Sequence, residues 1–197
     1  MPYAPITDVY RELRDALSPW AQAAGFRRLR GAAPAWERPI DDGRRLVVRF
    51  EGSSAFVDPD SGHSLTGWVE TVAADQIERQ ALFTTCLLQP ELDRLARVHG
   101  RINARRPRMS DDMKPHFNAD TVLGLHLREL YDPSPKYREG QHVPLAYYDI
   151  QDVRELLAFV VDTVPVALER FVAGTNPKMI NDTPPHMIPK WLKDLTK

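Results

Sequence analysis

The sequence predicts an α+β domain in which helices pack on an antiparallel sheet. Three observations support this fold class: an amphipathic helix at the N-terminus, a series of short strands around an Asp-Gly turn, and a second long amphipathic helix near the C-terminus. The chain has 197 residues, of which 43% are hydrophobic, and this is enough for one core. We therefore expect a single domain over residues 1–175, followed by a proline-rich tail over residues 176–197 that docks on it.

The first element is predicted to be a helix with one buried stripe. Its apolar residues recur at every third or fourth position and are Val9, Leu13, Leu17, Trp20 and Ala24. Thr7 or Asp8 is expected to cap the start, and Gly25 to leave the helix in a left-handed conformation. Pro19 predicts either a kink or a restart of the helix at that point.

Extended segments follow the helix and predict a four-stranded antiparallel meander. The segments are Phe26–Arg30, Ala35–Ile40, Arg44–Glu51 and Ser64–Val72. Asp42-Gly43 is a strong hairpin signal between the second and third segments. In the third segment Leu46, Val48 and Phe50 alternate with more polar residues, as in a sheet that helices cover on one side. The stretch Gly52–Gly62 is predicted to be a loop.

The second half of the chain predicts mostly helices. Asp75 and Glu78 resemble a capping box for a helix to about Leu88, and Pro90 is expected to begin another that Gly100 ends. The segments that follow are predicted as an exposed excursion over Asn103–His116, a strand over Thr121–Arg128 and a loop over Asp132–Gln141.

The last helix is the clearest one in the sequence. Asp152 is expected to cap it, Pro165 to kink it and Gly174 to end it. Together with the first helix it is expected to cover one face of the sheet, which later strands extend beyond four.

Composition limits the possible partners. The 26 basic and 27 acidic side chains nearly cancel, which disfavours nucleic acid and anionic membranes as partners. The chain has one cysteine, Cys86, so an intrachain disulfide cannot form. We expect Cys86 to be buried, and the absence of a disulfide framework indicates a cytoplasmic protein. No stretch approaches the roughly 18 apolar residues of a membrane span. The sequence does not indicate an oligomeric state.

Catalytic and metal-binding motifs are not found in the sequence. The six histidines include no pair at metal-ligand spacing, so we predict no catalytic residues, no metal and no cofactor. The alternative is a hydrolase or metal-assisted enzyme built from dispersed side chains. Such an enzyme predicts a pocket where several of these residues converge: His63, His116, Asp120, His126 and His142.

Six arginines within 15 residues form the main charged feature, here called the arginine strip. They are Arg94, Arg97, Arg101, Arg105, Arg106 and Arg108, with no acid among them. The strip is a candidate site for phosphate or an acidic protein surface. The competing interpretation is a solvated helix face whose arginines pair with acids elsewhere. A third interpretation, a nucleic-acid-binding regulator, is disfavoured because no aromatic residues lie between the arginines.

Two tryptophans provide a second candidate surface. If Trp36 and Trp68 share the sheet face away from the helices, they form a concave binding surface with Arg38, Arg49 and Glu70. The competing interpretation places the tryptophans in the core.

The segment Leu17–Arg27, followed by Trp36-Glu37-Arg38, resembles the opening of bacterial proteins in domain-of-unknown-function family 4304. The helix over residues 148–171 is similar to the closing helix of that family. The resemblance implies no established enzymatic activity and no catalytic residues. Small α+β families of this style resemble immunity proteins of contact-dependent toxin systems. We therefore expect a non-catalytic bacterial module that binds another protein, with an immunity-type role as one form of that function.

Overall fold

The computed structural model describes residues 4–40, 43–58, 62–73, 77–141, 143–175 and 177. In chain order its elements are α1 (Ile6–Ala23), β1 (Arg27–Arg28), β2 (Ala35–Pro39), β3 (Arg45–Asp58), β4 (Gly62–Val72), β5 (Ile77–Ala81), α2 (Leu82–Thr85), α3 (Gln89–Arg105), α4 (Lys114–Phe117), α5 (Val122–Tyr131), β6 (Leu145–Tyr147) and α6 (Ile150–Ala173). The predicted α+β fold class, with long helices at both ends of an antiparallel sheet, is confirmed.

The strands of the described chain form one antiparallel sheet. Strands β1 to β5 follow one another in space as they do in sequence, and β6 pairs with the first half of β4. The predicted meander is therefore present and extended by two strands. The predicted loop over Gly52–Gly62 is wrong for Gly52–Asp58, because β3 continues to Asp58, which pairs with Gly62 of β4. Residues 59–61 lie outside the described residues. Pairing along the ladder outweighs the local turn signals there.

Helices α1 and α6 contact each other and cover one face of the sheet. In α1 the buried residues include Val9, Leu13 and Leu17, which lie on one side of the helix as the periodicity predicts. On the sheet, the rings of Trp36 and Phe50 pack edge to face with centroids 6.4 Å apart. The core thus lies between this face of the sheet and the helices.

The ends of the two long helices differ in part from the prediction. Helix α1 begins directly after Pro5 rather than at a cap from Thr7 or Asp8, and Pro19 lies inside it without a restart. Gly25 is left-handed as predicted, with φ of 77°. Gly174 ends α6 as predicted, and its φ is 67°.

Helix α6 is capped by Asp149, which accepts backbone hydrogen bonds from Gln151 and Asp152. Asp152, the predicted cap, instead occupies the third helical position and completes a capping box. Pro165 lies inside this helix as well. Asp149 therefore takes the capping role that was predicted for Asp152.

Two predicted elements in the middle of the chain are wrong. The helix predicted to end near Leu88 is instead β5 followed by the four-residue α2, because Ile77–Ala81 pairs along β4; Asp75 lies outside the described residues. The strand predicted over Thr121–Arg128 is α5, whose start is capped by the Thr121 side chain accepting from Gly124 N. Alternating leucines misled the prediction, since tertiary packing favours the helix.

Helix α3 extends past Gly100, where the prediction ended it, and reaches Arg105. The predicted exposed excursion over residues 103–116 therefore begins as helix and contains α4 near its end. None of the described helices combines the length and apolarity needed to cross a bilayer. Asp42 of the predicted hairpin lies outside the described residues. The tail over residues 176–197, which was predicted to dock on the domain, also lies outside them apart from Pro177.

Candidate functional site: a basic groove beside α3

Part of the arginine strip joins α3 to α6. Arg94 pairs with Asp162 at 2.5 Å, and Arg105 pairs with Asp152 at 2.9 Å and with Glu155 at 2.8 Å. Burial lowers the pKa of Arg105, but its hydrogen bonds and ion pairs with the two acids outweigh this and raise the pKa. These contacts match the interpretation of a helix face whose arginines pair with acids elsewhere.

Arg106 lies further inside than the other members of the strip. Burial lowers its pKa, and the charge of Asp152 partly offsets this effect. Its Nε donates to the Asn103 side chain at 3.3 Å. Arg108, in contrast, is exposed beyond the end of α3. The strip is therefore not one continuous surface, and only some of its members face solvent together.

Arg97 and Arg101 do face a common space, a groove of about 930 Å³ between α3 and residues 133–138. Four basic residues line it, two from each side: Arg97, Arg101, Lys136 and Arg138. The rest of the lining is mostly small or apolar and includes Ala96, Gly100, Ala104, Pro133 and Pro135. The single acid of the lining is Asp93, whose Oδ1 accepts from Gln89 Nε2 at 2.7 Å. The groove therefore combines cationic sides with a largely uncharged floor.

Close approach of the two sides depends on Gly100. A Cβ at this position would lie 2.6 Å from the carbonyl oxygen of Pro133, closer than real Cβ contacts come. The glycine that was expected to end the helix thus serves instead as the place where residues 133–138 pack against it. A helical glycine costs about 1 kcal/mol relative to alanine, which this packing has to offset.

Side chains of α3 hold both ends of the opposite side of the groove. Asn103 Nδ2 donates to the carbonyl oxygens of Glu129 at 3.0 Å and Asp132 at 2.8 Å. At the other end Gln89 Nε2 donates to the carbonyl oxygen of Tyr137 at 3.0 Å. This segment, which has no helix or strand of its own as predicted, is therefore fixed before any partner arrives.

Exposure along this segment alternates with a period of two. Pro135 and Tyr137 are buried, whereas Lys136 and Arg138 are exposed. Alternation of this kind is typical of an extended backbone, in which every second side chain lies on the same side. Both cations are thus presented on the solvent side of the segment while their neighbours anchor it.

A buried histidine supports the segment from below. His99 Nδ1 and the Tyr137 hydroxyl lie 2.7 Å apart, and the two rings meet edge to face. Burial, with a smaller effect from Arg106, lowers the pKa of His99 to about 3, and burial raises the pKa of Tyr137. His99 is therefore neutral at physiological pH. A small cavity of about 20 Å³ adjoins this pair, enough for one water molecule.

The predicted surface containing both tryptophans does not form. Trp36 is 2% exposed and faces the helices, and the guanidinium of Arg38 lies over the Phe26 ring. The register explains the difference, because Trp36 is opposite Val48, whereas Trp68 is opposite Arg49 on the other face.

The outer face of the sheet carries paired charges. Glu37 and Glu70 are buried there under arginine side chains: Arg27 and Arg45 pair with Glu37, and Arg49 and Arg79 pair with Glu70. The guanidinium of Arg79 also lies 4.0 Å from the centre of the Trp68 ring. Arg49 and Trp68 thus belong to a network in which each arginine is paired with an acid of the same chain.

The residues of the enzyme alternative occupy separate places where they are described. His63 stacks on Tyr147, with ring centroids 5.8 Å apart, and His116 is exposed on α4. Asp120 precedes α5, while His142 and the side chain of His126 lie outside the described part. Within that part, no three His, Cys, Asp or Glu side chains are close enough to hold a metal ion. Cys86 is buried, as predicted.

Comparisons of the chain with protein-family models, curated proteins and solved structures found no match. The resemblance to family 4304 therefore stays a prediction. Of the predicted site residues, the structure brings Arg97 and Arg101 together in the groove. Sequence reasoning missed Lys136 and Arg138, which lie in a segment predicted only as a loop. The signal available was the alternation of cations with Pro135 and Tyr137.

Proposed function

We propose that the protein is a non-catalytic binding module that holds an acidic segment of another protein in the groove between α3 and residues 133–138. The observation that carries this proposal is the lining of the groove, where four cations face one acid. Charge complementarity of this kind guides association and selects the partner.

Most of the groove cations lack an acid partner within the described part of the chain. Arg97, Lys136 and Arg138 form no ion pair with any acid in the described ranges. Arg101 is 58% exposed, but it pairs with Glu155 at 3.4 Å and donates to the carbonyl oxygen of Arg97 at 3.3 Å. Elsewhere in the strip, Arg94 and Arg105 are already paired. Three of the four groove cations are therefore available to a partner.

The fixed geometry of the groove also favours binding. Because hydrogen bonds from α3 hold residues 133–138 in place, little conformational entropy is lost there when a partner binds. An immunity-type role, in which the acidic segment belongs to a bacterial toxin, is the form of this function that the resemblance implies. The cytoplasm is the compartment that the single cysteine favours.

The test is affinity capture from the native host at low salt, with tagged protein as bait. Wild-type protein is expected to retain one stoichiometric partner whose identified sequence contains an acidic segment. Arg97→Glu combined with Arg138→Glu is expected to lose that partner, because the change reverses one cation on each side. Arg108→Glu is the matched control, since Arg108 is exposed but does not line the groove.

A second variant tests the shape of the groove without changing its charge. Gly100→Ala places a Cβ against the Pro133 carbonyl and so displaces residues 133–138. Capture is expected to fall while circular dichroism shows that the helices remain. Retention of the same partner by both groove variants would move the interface elsewhere, and capture of no partner by the wild type would contradict the proposal.

A further inference from the structure

We infer that the segment bound in the groove is an extended chain with about four consecutive acidic residues, whose side chains alternate between the two sides of the groove. This inference rests on the proposed function, since it specifies the partner of the same site. It follows from the spacing of the cations, the size of the groove and the small residues at its floor.

The first step is the spacing of cations along each side. Arg97 and Arg101 are four residues apart on α3, which places their backbones about 6 Å apart along the helix axis. Lys136 and Arg138 are two residues apart in a segment whose exposure alternates as in an extended backbone, for which this spacing is about 6.6 Å. Both sides therefore present two cations with nearly the same repeat.

The second step is the repeat of the ligand. In an extended chain alternate side chains point to opposite sides, and residues two apart on one side are separated by about 6.6 Å. Four consecutive acids in this conformation place two carboxylates toward Arg97 and Arg101, and two toward Lys136 and Arg138. A helical ligand presents one acidic stripe, which serves one side of the groove at a time.

The third step concerns size and approach. A volume of about 930 Å³ is typical of a site for a short segment rather than for the face of a whole domain. A helix with side chains is about 10–12 Å across, whereas an extended chain is thinner. The side chains of Ala96 and Ala104 on the α3 side of the groove are short, so the backbone of an extended ligand can reach the floor. Repulsion within a run of like charges also favours extended conformations.

The experiment measures the fluorescence anisotropy of labelled peptides with the full-length protein at low salt. One peptide has four consecutive aspartates between Gly-Ser flanks, and a second has the same composition with aspartates at every fourth position. A third peptide replaces the aspartates with asparagines. The consecutive peptide is expected to bind about tenfold more tightly than the spaced one, and the asparagine peptide not to bind measurably.

Two double variants test the two sides separately. Arg97→Gln with Arg101→Gln, and Lys136→Gln with Arg138→Gln, are each expected to weaken the consecutive peptide about tenfold, because each removes two ion pairs. Arg108→Gln is the control and is expected to leave the affinity unchanged. Equal loss from both double variants is the signature of a ligand that contacts both sides.

The outcomes separate this inference from the proposed function. Equal affinity for the two acidic peptides, with loss in both double variants, would overturn the extended run but leave an acidic partner in the groove. Failure of either acidic peptide to exceed the asparagine peptide would count against both. Tighter binding of a single-stranded DNA oligonucleotide, reduced by the same variants, would overturn both in favour of nucleic acid.

Discussion

At the scale of single residues, one pair determines how the groove is supported. His99 is 3% exposed and its ring lies 2.7 Å from the hydroxyl of Tyr137, so this side chain of α3 holds residues 133–138 from beneath. The Nε2 atom of the same ring is buried without a hydrogen-bond partner among the described atoms. Such an arrangement favours the neutral imidazole, because a charged ring would lack both solvation and a compensating acid.

This burial predicts a loss of stability in mild acid. The pKa of His99 is about 3 in the folded protein and near its ordinary 6.5 in the unfolded chain, so the unfolded state binds more protons between these values. The free energy of unfolding is therefore expected to fall as pH decreases from 6.5 towards 3. The contribution of His99 between pH 7.5 and pH 5 is about 2 kcal/mol.

Urea unfolding of the wild type and of His99→Gln at both pH values measures this contribution. Glutamine retains a hydrogen-bonding group but does not titrate, so the variant is expected to lose about 2 kcal/mol less over the same range. Carboxylates titrate in both proteins, so their contribution to the pH dependence cancels when the two are compared. Parallel pH profiles for the two proteins would show that His99 does not remain neutral on folding.

At the scale of elements, amphipathic periodicity was sufficient for the long helices but not for short segments. Helices α1 and α6 each place one apolar stripe on the core, and a stripe of this length is rarely accidental. Ile77–Ala81 and Val122–Tyr131 are short, and their local patterns suit either secondary structure. Pairing with β4 makes the first a strand, and a Thr121 cap with buried Leu127 and Leu130 makes the second a helix.

The junction between α3 and α6 depends on one buried acid. Asp152 is 4% exposed, accepts from the backbone N–H of Tyr148 at 2.9 Å, and pairs with Arg105. Replacing it with alanine removes the capping box and leaves Arg105 and the largely buried Arg106 without this carboxylate. Asp152→Ala is therefore expected to lower the free energy of unfolding by about 2–4 kcal/mol.

Asp162→Ala provides the matched control for this prediction. Asp162 pairs with Arg94 across the same two helices, but its side chain is 58% exposed. An exposed ion pair contributes about 0–1 kcal/mol, so this variant is expected to change stability by less than the first. Urea unfolding at pH 7 compares them. A similar decrease in the free energy of unfolding for both variants would mean that burial of Asp152 does not add to the stability of the α3–α6 junction.

At the scale of the whole molecule, the outer face of the sheet and the groove differ in how their cations are paired. The chain carries a net charge of −1, and on the outer face of the sheet Glu37 and Glu70 are each paired with two arginines. The groove instead gathers cations from α3 and from residues 133–138. Composition therefore gives no indication of a basic site that exists only in the folded chain.

The same division explains how much of the candidate site the sequence predicts. Arg97 and Arg101 were found because they are close in sequence and lie in a run without acids. Lys136 and Arg138 are about 40 residues away in the chain and join them because their segment packs on Gly100 and is held by side chains of α3. Trp36 was misassigned to the surface hypothesis because sequence alone does not determine which face of the sheet the helices cover.

Salt is expected to weaken binding more than folding, because the groove cations are exposed whereas the paired acids are buried. The groove cations are exposed, so their attraction for the tetra-aspartate peptide is screened strongly between 50 and 500 mM NaCl, where the Debye length falls from about 14 Å to about 4 Å. Glu37, Glu70 and Asp152 are buried beside their arginines and are screened much less. The dissociation constant is expected to rise about tenfold or more, while the free energy of unfolding changes by less than about 1 kcal/mol.

Peptide anisotropy and urea unfolding in the same buffers measure both quantities. A dissociation constant that does not change with salt would mean that the peptide is held by apolar contacts, and a parallel loss of stability would place the exposed cations within the folding energetics rather than at a binding surface.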